Sequence, residues 1–348
     1  METRPYLSKT TLSIDIQALG KQISDAQGRD GEIPWNPGGK TDPWDLVESA
    51  MGLSIVGYLE EARAAYEWMA NKQLPDGCWF AAYGNGIPKD KTKDANMSTY
   101  IAVGLLHYYL ITGDKRFLFK MWETVEKAID FALRLQSPGG EIFWAISPKG
   151  EVDHMALLTG SCSIYMSIRC ALAIAKALGF SNRRWESSHY LLGHAIRFKP
   201  HLFNMTKSRY AMDWFYPVLA GVLTGVAGKQ QIDRFWKKYV VNDHGVRCVS
   251  DRPWITVAET CELTMTLAAM GNRALSEIVF NWISDKRYED GTYWCGYTLP
   301  DMTIWPEEKL TWTNAAVLLA ADALYHLTPA SRLFYHGFWS EQQRDVPI

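Results

Sequence analysis

Gln73-Leu-Pro-Asp-Gly-Cys-Trp79 closes an amphipathic helix with a glutamine, a turn and a tryptophan. Asp-Gly is turn chemistry, because glycine takes a positive φ without steric cost. The helix before it sets Leu59, Ala62, Tyr66 and Met69 on one face, with Glu60, Glu61, Arg63 and Glu67 off it. Looser forms of the unit recur at Gln136, Gly140 and Trp144, and at Asp290-Gly291-Thr-Tyr-Trp294. Recurrence implies repeated helical hairpins, and hairpins of this kind close into a ring of helices round a central cavity.

Helical periodicity runs through the rest of the chain. Start and stop signals predict about twelve helices, near 11–27, 43–57, 59–73, 95–112, 114–136, 158–179, 182–198, 211–227, 230–240, 257–271, 273–287 and 310–327. Gly113, Gly179 and Gly271 stand at helix ends, and Asp114 is placed to cap the next helix. Short and long connections alternate, so the long loops fall on one face, with strand-like stubs at Gly245-Val-Arg-Cys-Val249 and Gly291-Thr-Tyr-Trp294. The expected fold is all-α, an (α/α)6 toroid of two concentric rings. One domain is expected over 1–348, with helix 11–27 in the ring and the tail 328–348 packed on the barrel through Phe334, Tyr335, Phe338 and Trp339.

The chain is 47% hydrophobic with a formal net charge of -2 and no long basic run, which excludes nucleic acid or an anionic membrane as an expected partner. Six scattered cysteines without a Cys-x-x-Cys read as reduced, mostly buried thiols. The charged start Met-Glu-Thr-Arg-Pro-Tyr lacks the apolar run of a signal peptide, and no stretch reads as a membrane span, so a soluble cytoplasmic protein is expected. Fifteen tryptophans serve either a bulky core or an aromatic-lined pocket for a small-molecule substrate.

The long loops lead into helix starts that carry Asp42, Asp45 and Glu48, then Asp94, Asp153, Asp213, Glu259 with Glu262, and Glu307 with Glu308. Carboxylates favour helix N-termini through capping and the macrodipole. Several forced together at one cavity mouth would also have their pKa values pushed apart, which divides acid from base. Asp213 lies in Tyr210-Ala-Met-Asp-Trp-Phe-Tyr216, where Trp214, Phe215 and Tyr216 would desolvate a general acid. Asp42 and Asp45 flank Trp44, Glu307 and Glu308 follow Trp305, and Glu262 joins Glu259 on one helix face. Asp42, Asp45, Asp213, Glu259, Glu262, Glu307 and Glu308 are the candidate catalytic acids. Trp35, Trp44, Trp79, Trp144, Trp214, Tyr216, Trp254, Trp294, Trp305 and Trp312 are the candidate substrate-facing aromatics. The sequence holds no glycine-rich phosphate loop, Rossmann fingerprint or nucleophile elbow, and no cofactor is expected.

Gln73, Gly77 and Trp79 resemble the QW signature of terpenoid cyclases and protein prenyltransferases. That resemblance implies an α/α toroid and acid-initiated carbocation chemistry on an isoprenoid in an aromatic cavity. The Asp-x-Asp-Asp acid of class II cyclases and the Asp-rich magnesium motif of terpene synthases are both missing. Asp76-Gly77-Cys78 is similar to the Asp-x-Cys zinc ligands of the prenyltransferase β subunit, with His154 as a third donor, although clustered thiolates and imidazoles are sparse and no metal is expected. A second segment, Pro306-Glu-Glu-Lys-Leu-Thr-Trp-Thr-Asn-Ala-Ala-Val-Leu-Leu-Ala320, resembles the last inner helix of glucoamylase-type six-hairpin glycosidases. That likeness implies two carboxylates across a glycosidic bond and tryptophans stacked on sugar faces. The isoprenoid enzyme is placed first, the carbohydrate-active enzyme is its alternative, and a noncatalytic binding toroid stands third.

Overall fold

The computed structural model describes residues 14–344. Its helices are α1 Ile16–Ala26, α2 Pro43–Ile55, α3 Leu59–Lys72, α4 Ala95–Thr99, α5 Ile101–Thr112, α6 Lys115–Lys120, α7 Trp122–Leu133, α8 Leu158–Leu178, α9 Arg183–Phe198, α10 Ala211–Leu219, α11 Gly225–Tyr239, α12 Val257–Ala269, α13 Arg273–Asn281, α14 Thr311–Tyr325 and α15 His336–Arg344. The inner helices close a ring: α2 packs on α5, α5 on α8, α8 on α10, α10 on α12, α12 on α14, and α14 back on α2. The fold is an all-α toroid, as the hairpin pattern implies. The first part of the expected helix 11–27 lies outside the described residues.

The inner helices are apolar nearly all round, as full burial requires. Helix α8 is long and apolar enough to cross a membrane, but its residues are mostly buried among its neighbours in the ring. Two expected helices are broken. The span 95–112 is interrupted at Tyr100, and 114–136 at Met121. The span 211–227 stops at Leu219, because Pro217 lies inside that helix and Gly221, at φ 71°, turns the chain, so α11 begins at Gly225.

The glutamines tie the outer ring together. Gln73 Nε2 donates to Gly77 O in its own turn and to Thr124 O on α7, both at 2.9 Å. Gln136 repeats this with Gly140 O at 2.9 Å and Ser188 O on α9 at 3.0 Å. A third joint, followed by Trp35 at the spacing that separates Gln136 from Trp144, has Gln27 donating to Gly31 O at 3.0 Å and to Glu61 O on α3 at 2.9 Å. The glycines sit at φ 97°, 91° and 104° in chain order. A Cβ on Gly31, Gly77 or Gly140 would lie 2.2, 2.2 or 2.5 Å from a backbone oxygen of the next outer helix. The same turn is built at Tyr288–Thr292, where Gly291 has φ 86°. The tryptophan half of the motif acts differently. Trp79 is buried and donates to Met69 O within its own hairpin.

The long connections carry short antiparallel strands: β1 Ala82–Gly84, β2 Ile87–Asp90, β3 Lys93–Asp94, β4 Ala145–Ile146, β5 Val152–Asp153, β6 Val240–Val241, β7 Gly245–Arg247, β8 Trp254–Thr256, β9 Gly296–Thr298 and β10 Thr303–Ile304. They pair as β1-β2, β3-β4-β5 and β10-β9-β8-β7-β6, and they lead into the inner helices. Gly291–Trp294 forms no strand; it leaves a turn with the same backbone pattern but with Arg287 in place of the glutamine, and the strand follows at β9. Towards the C-terminus Leu333, Phe334, Phe338 and Trp339 are buried, Tyr335 is exposed, and the Arg169 guanidinium lies 4.3 Å over the Trp339 ring.

The clamp sets two expectations. Gln73→Glu replaces a double donor with a carboxylate facing two carbonyl oxygens, and unfolding should become easier by about 2–4 kcal/mol. Gly77→Ala adds left-handed strain to a backbone clash and should cost about 3 kcal/mol. Chemical denaturation measures both, and a change below experimental error at either site would show that the clamp does not hold the ring.

Candidate active site at the mouth of the ring

Helix α2 starts where its sequence says it should. Asp42 is the N-cap: Oδ1 accepts from Asp45 N and Oδ2 accepts from the Trp35 indole, each at 2.9 Å, and Pro43 opens the first turn. This cap sets Trp44, Asp45 and Glu48 on the first two turns. Trp44 Nε1 donates to Glu48 Oε1 at 2.6 Å, and the Tyr100 hydroxyl donates to the same oxygen at 3.2 Å. The Trp44 ring stacks on Tyr100 at 5.0 Å and meets Tyr216 edge-on at 5.9 Å.

Helix α12 supplies Glu259 and Glu262, which with Asp45 and Glu48 are half-buried. Burial raises the Glu48 carboxyl to about 7, against the pull of its bonds from Trp44 and Tyr100. Burial, then the charges of Asp42 and Glu48, lifts Asp45 well above the carboxylate range. Burial, then Glu48 and Glu259, does the same to Glu262. Glu48 therefore lies in the field of both other acids, and the three titrate as one coupled set that does not ionise completely at neutral pH. Some carboxyls keep a proton to donate while others are free to accept one, which is the division acid–base catalysis needs.

A cavity of about 380 Å³ adjoins this cluster. Its wall includes Trp44, Asp94, Asn96, Met97, Ile142, Trp144, Met212 and Asp213. Asp94 caps α4 through Met97 N at 2.9 Å, and burial raises its carboxyl to about 6. Asp213 Oδ1 accepts from Thr159 N at 3.1 Å and from Thr159 Oγ1 at 2.6 Å. Burial raises its carboxyl, against those two bonds. The aromatic wall expected round Asp213 is not formed. Trp214 turns outward, donates to Gln231 O and stacks on Tyr239 at 5.1 Å, Phe215 is in the core, and Tyr216 belongs to the central cluster.

The other expected site residues scatter. Trp79 is buried and bonded within its own hairpin, away from the acid cluster, while Trp214 lines a separate outer cavity with Asp213, Phe235 and Tyr239. Glu307 and Glu308 are exposed, and Trp305 meets Trp254 edge-on in the same loop face. Trp35 meets Trp312 edge-on beside the Asp42 cap, and Trp294 meets Tyr297. Asp153 pairs in β5 instead of starting α8, whose N-cap is Leu157. The metal candidates do not gather: Asp76 pairs with Lys93 and accepts from the Cys78 thiol, while His154 packs against Phe143. Among the described residues no three His, Cys, Asp or Glu side chains form a metal site. Tyr100, which orients Glu48, was not expected. Glu48 was named only as a helix-start acid, although its position four residues after Trp44 puts the two on one helix face.

A closed ring of helical hairpins, with a coupled acid cluster at the N-terminal mouth of its inner helices, suits acid–base chemistry, and a mannosidase relative makes the chain an enzyme of the glycosidase type. The chain belongs to the family of the MMP endo-(1,4)-3-O-methyl-α-D-mannosidase of Mycolicibacterium hassiacum, with which it is 50% identical over 312 residues, covering 90% of this chain and 86% of that one. No family model matches. Two solved structures share the fold at 11% identity. A GH63 mannosylglycerate hydrolase from Thermus thermophilus, in complex with glucose, has a TM-score of 0.69, covering 87% of this chain and 99% of that one. A D-mannose isomerase has a TM-score of 0.72, covering 94% and 100%. The mannosidase relative overturns the expectation of isoprenoid carbocation chemistry: the QW-like motif marks the toroid and not the reaction.

The coupling has a sign that can be tested. Glu48→Gln removes a negative charge beside Asp45 and Glu262, so both carboxyls should lose their protons at lower pH, and the alkaline limb of kcat/KM should move down in pH. Folded Glu48 titrates near 7 against 4.5 for a free side chain, so its proton stabilises the fold at low pH, and that stabilisation is lost as pH rises through 7. The wild-type unfolding midpoint should therefore rise on going from pH 7 to pH 5 by more than that of Glu48→Gln. Identical profiles for the two proteins would refute the coupling.

Proposed function

We propose that this chain hydrolyses internal α-(1→4) linkages in a 3-O-methylated mannan, the activity that its Mycolicibacterium hassiacum relative carries in its name. The supporting observation is 50% identity across nearly the whole of both chains. The acid cluster suits the reaction. Hydrolysis breaks the bond from the anomeric carbon to the linking oxygen and adds water across it. One carboxylic acid protonates the leaving oxygen while a carboxylate assists attack at the anomeric carbon.

Glu262 is assigned as the proton donor. Burial, then the neighbouring Glu48 and Glu259, favours its neutral form. Asp45 is assigned as the assisting carboxylate because, of the three coupled acids, it is the one on which a cation, Lys40, acts, against the larger opposing effects of burial, Asp42 and Glu48. Glu48, tethered by Trp44 and Tyr100, positions and tunes the pair. The Trp44 and Trp144 rings supply apolar faces for sugar.

Glu262→Gln and Asp45→Asn should each lower kcat on a 3-O-methylated α-(1→4)-mannooligosaccharide by about 10³-fold or more, while the unfolding midpoint holds or rises. Fragment analysis of a long substrate should show internal cleavage. Wild-type protein that leaves this substrate intact, or variants that retain full turnover, would overturn the assignment.

A further inference from the structure

The mouth cavity has an unusual lining for a site that takes sugar. Met97, Ile142, Ile164 and Met212 form an apolar wall in the same cavity as the Trp44 and Trp144 rings. Three polar atoms of its lining residues, Asn96 Oδ1, Ser161 Oγ and Trp144 Nε1, are buried and have no hydrogen-bond partner among the described residues. Buried polar groups are nearly always satisfied, so such orphans in a cavity wall mark where a ligand or ordered water bonds. They comprise an acceptor, a hydroxyl that does either, and a donor. The wall therefore asks for a ligand that is apolar on one side and carries both hydroxyl hydrogens and oxygen acceptors on the other.

A fully hydroxylated ring does not meet that demand, because hydroxyls pressed on methionine and isoleucine lose water and gain nothing. A 4-linked sugar methylated at O3 does. Its methyl group faces the apolar wall, and its remaining hydroxyls and ring oxygen face the three orphan atoms. We propose that this cavity is the subsite that reads the methyl ether, with Met97, Ile142, Ile164 and Met212 selecting methylated sugar and Asn96, Ser161 and Trp144 setting its orientation. The proposal rests on the mannan-hydrolase reading of the adjacent acids and adds where and how that enzyme tells methylated from plain substrate.

The experiment compares kcat/KM on matched α-(1→4)-mannooligosaccharides, one 3-O-methylated and one unmethylated. One methyl in an apolar pocket discriminates by roughly 10- to 200-fold, so wild type should prefer the methylated chain within that range. Met97→Gln with Met212→Gln should cut the preference by roughly tenfold or more, mainly through KM on the methylated chain. Gly160→Leu tests the same cavity from a wall position where the added Cβ itself makes only ordinary contacts, the nearest with Asn96 Cβ at 3.5 Å. It should raise KM for the methylated chain while the unfolding midpoint stays in place. Equal wild-type turnover of both chains, or an unchanged preference in the double variant together with an unchanged KM in Gly160→Leu, overturns the subsite and leaves the hydrolase reading standing. Failure of wild type to cleave either chain overturns both.

Discussion

The glutamine that donates twice, once to its own turn and once to the next outer helix, is the constraint on which the rest of this structure depends. An inner ring of apolar helices has no intrinsic register, because such helices slide on one another with little change in buried area. The clamp supplies register. Each turn must present a glycine with a positive φ, because a side chain there would enter the neighbouring backbone. Each glutamine must find two carbonyls at the correct separation. Neighbouring hairpins are thereby locked at one angle and one height. The helix N-termini that carry Asp42 and Asp94, in hairpins joined by these clamps, are held at the mouth as a result, and the α2 side of the acid cluster takes part of its geometry from bonds made on the outside of the barrel.

That inheritance matters because the cluster opposes folding. Carboxyls with raised pKa values are held partly buried near like charges, and only a scaffold stabilised elsewhere retains them. Helix N-termini offset part of the cost. Donors to Glu48 offset more, but they leave Asp45 and Glu262 protonated farther up the pH scale than free acids. Stability and reactivity thus sit in different layers, the outer turns holding the ring and the inner ends carrying the chemistry.

Much of the fold was legible in the sequence, for a physical reason. Helical periodicity and C-terminal glycines report local geometry, so the hairpin order and the toroid follow from them directly. The breaks at Tyr100 and Met121 and the early stop at Leu219 were missed, because a half-turn displaced by packing leaves the apolar repeat intact. The Gln27 joint was missed although the sequence carries the same signal there: Gln27, Gly31 and Trp35 repeat the spacing of Gln136, Gly140 and Trp144. In the site, acids at helix starts were visible, but their convergence was not. Asp213 looked walled by three aromatics because neighbours in sequence were taken as neighbours in space. In a helix, consecutive residues point about 100° apart, which sends Trp214 outward and Tyr216 to the centre. The chemistry itself was misjudged, since the tryptophan motif reports architecture shared by unrelated reactions.

Trp44 joins the two halves of the mouth. Its ring walls the mouth cavity, and its indole N–H is committed to Glu48. A sugar that seats against that ring cannot tilt it without stretching the bond that keeps Glu48 partly ionised. Recognition and acidity therefore share one rigid body, and the enzyme's proton inventory is informed of what occupies its doorway.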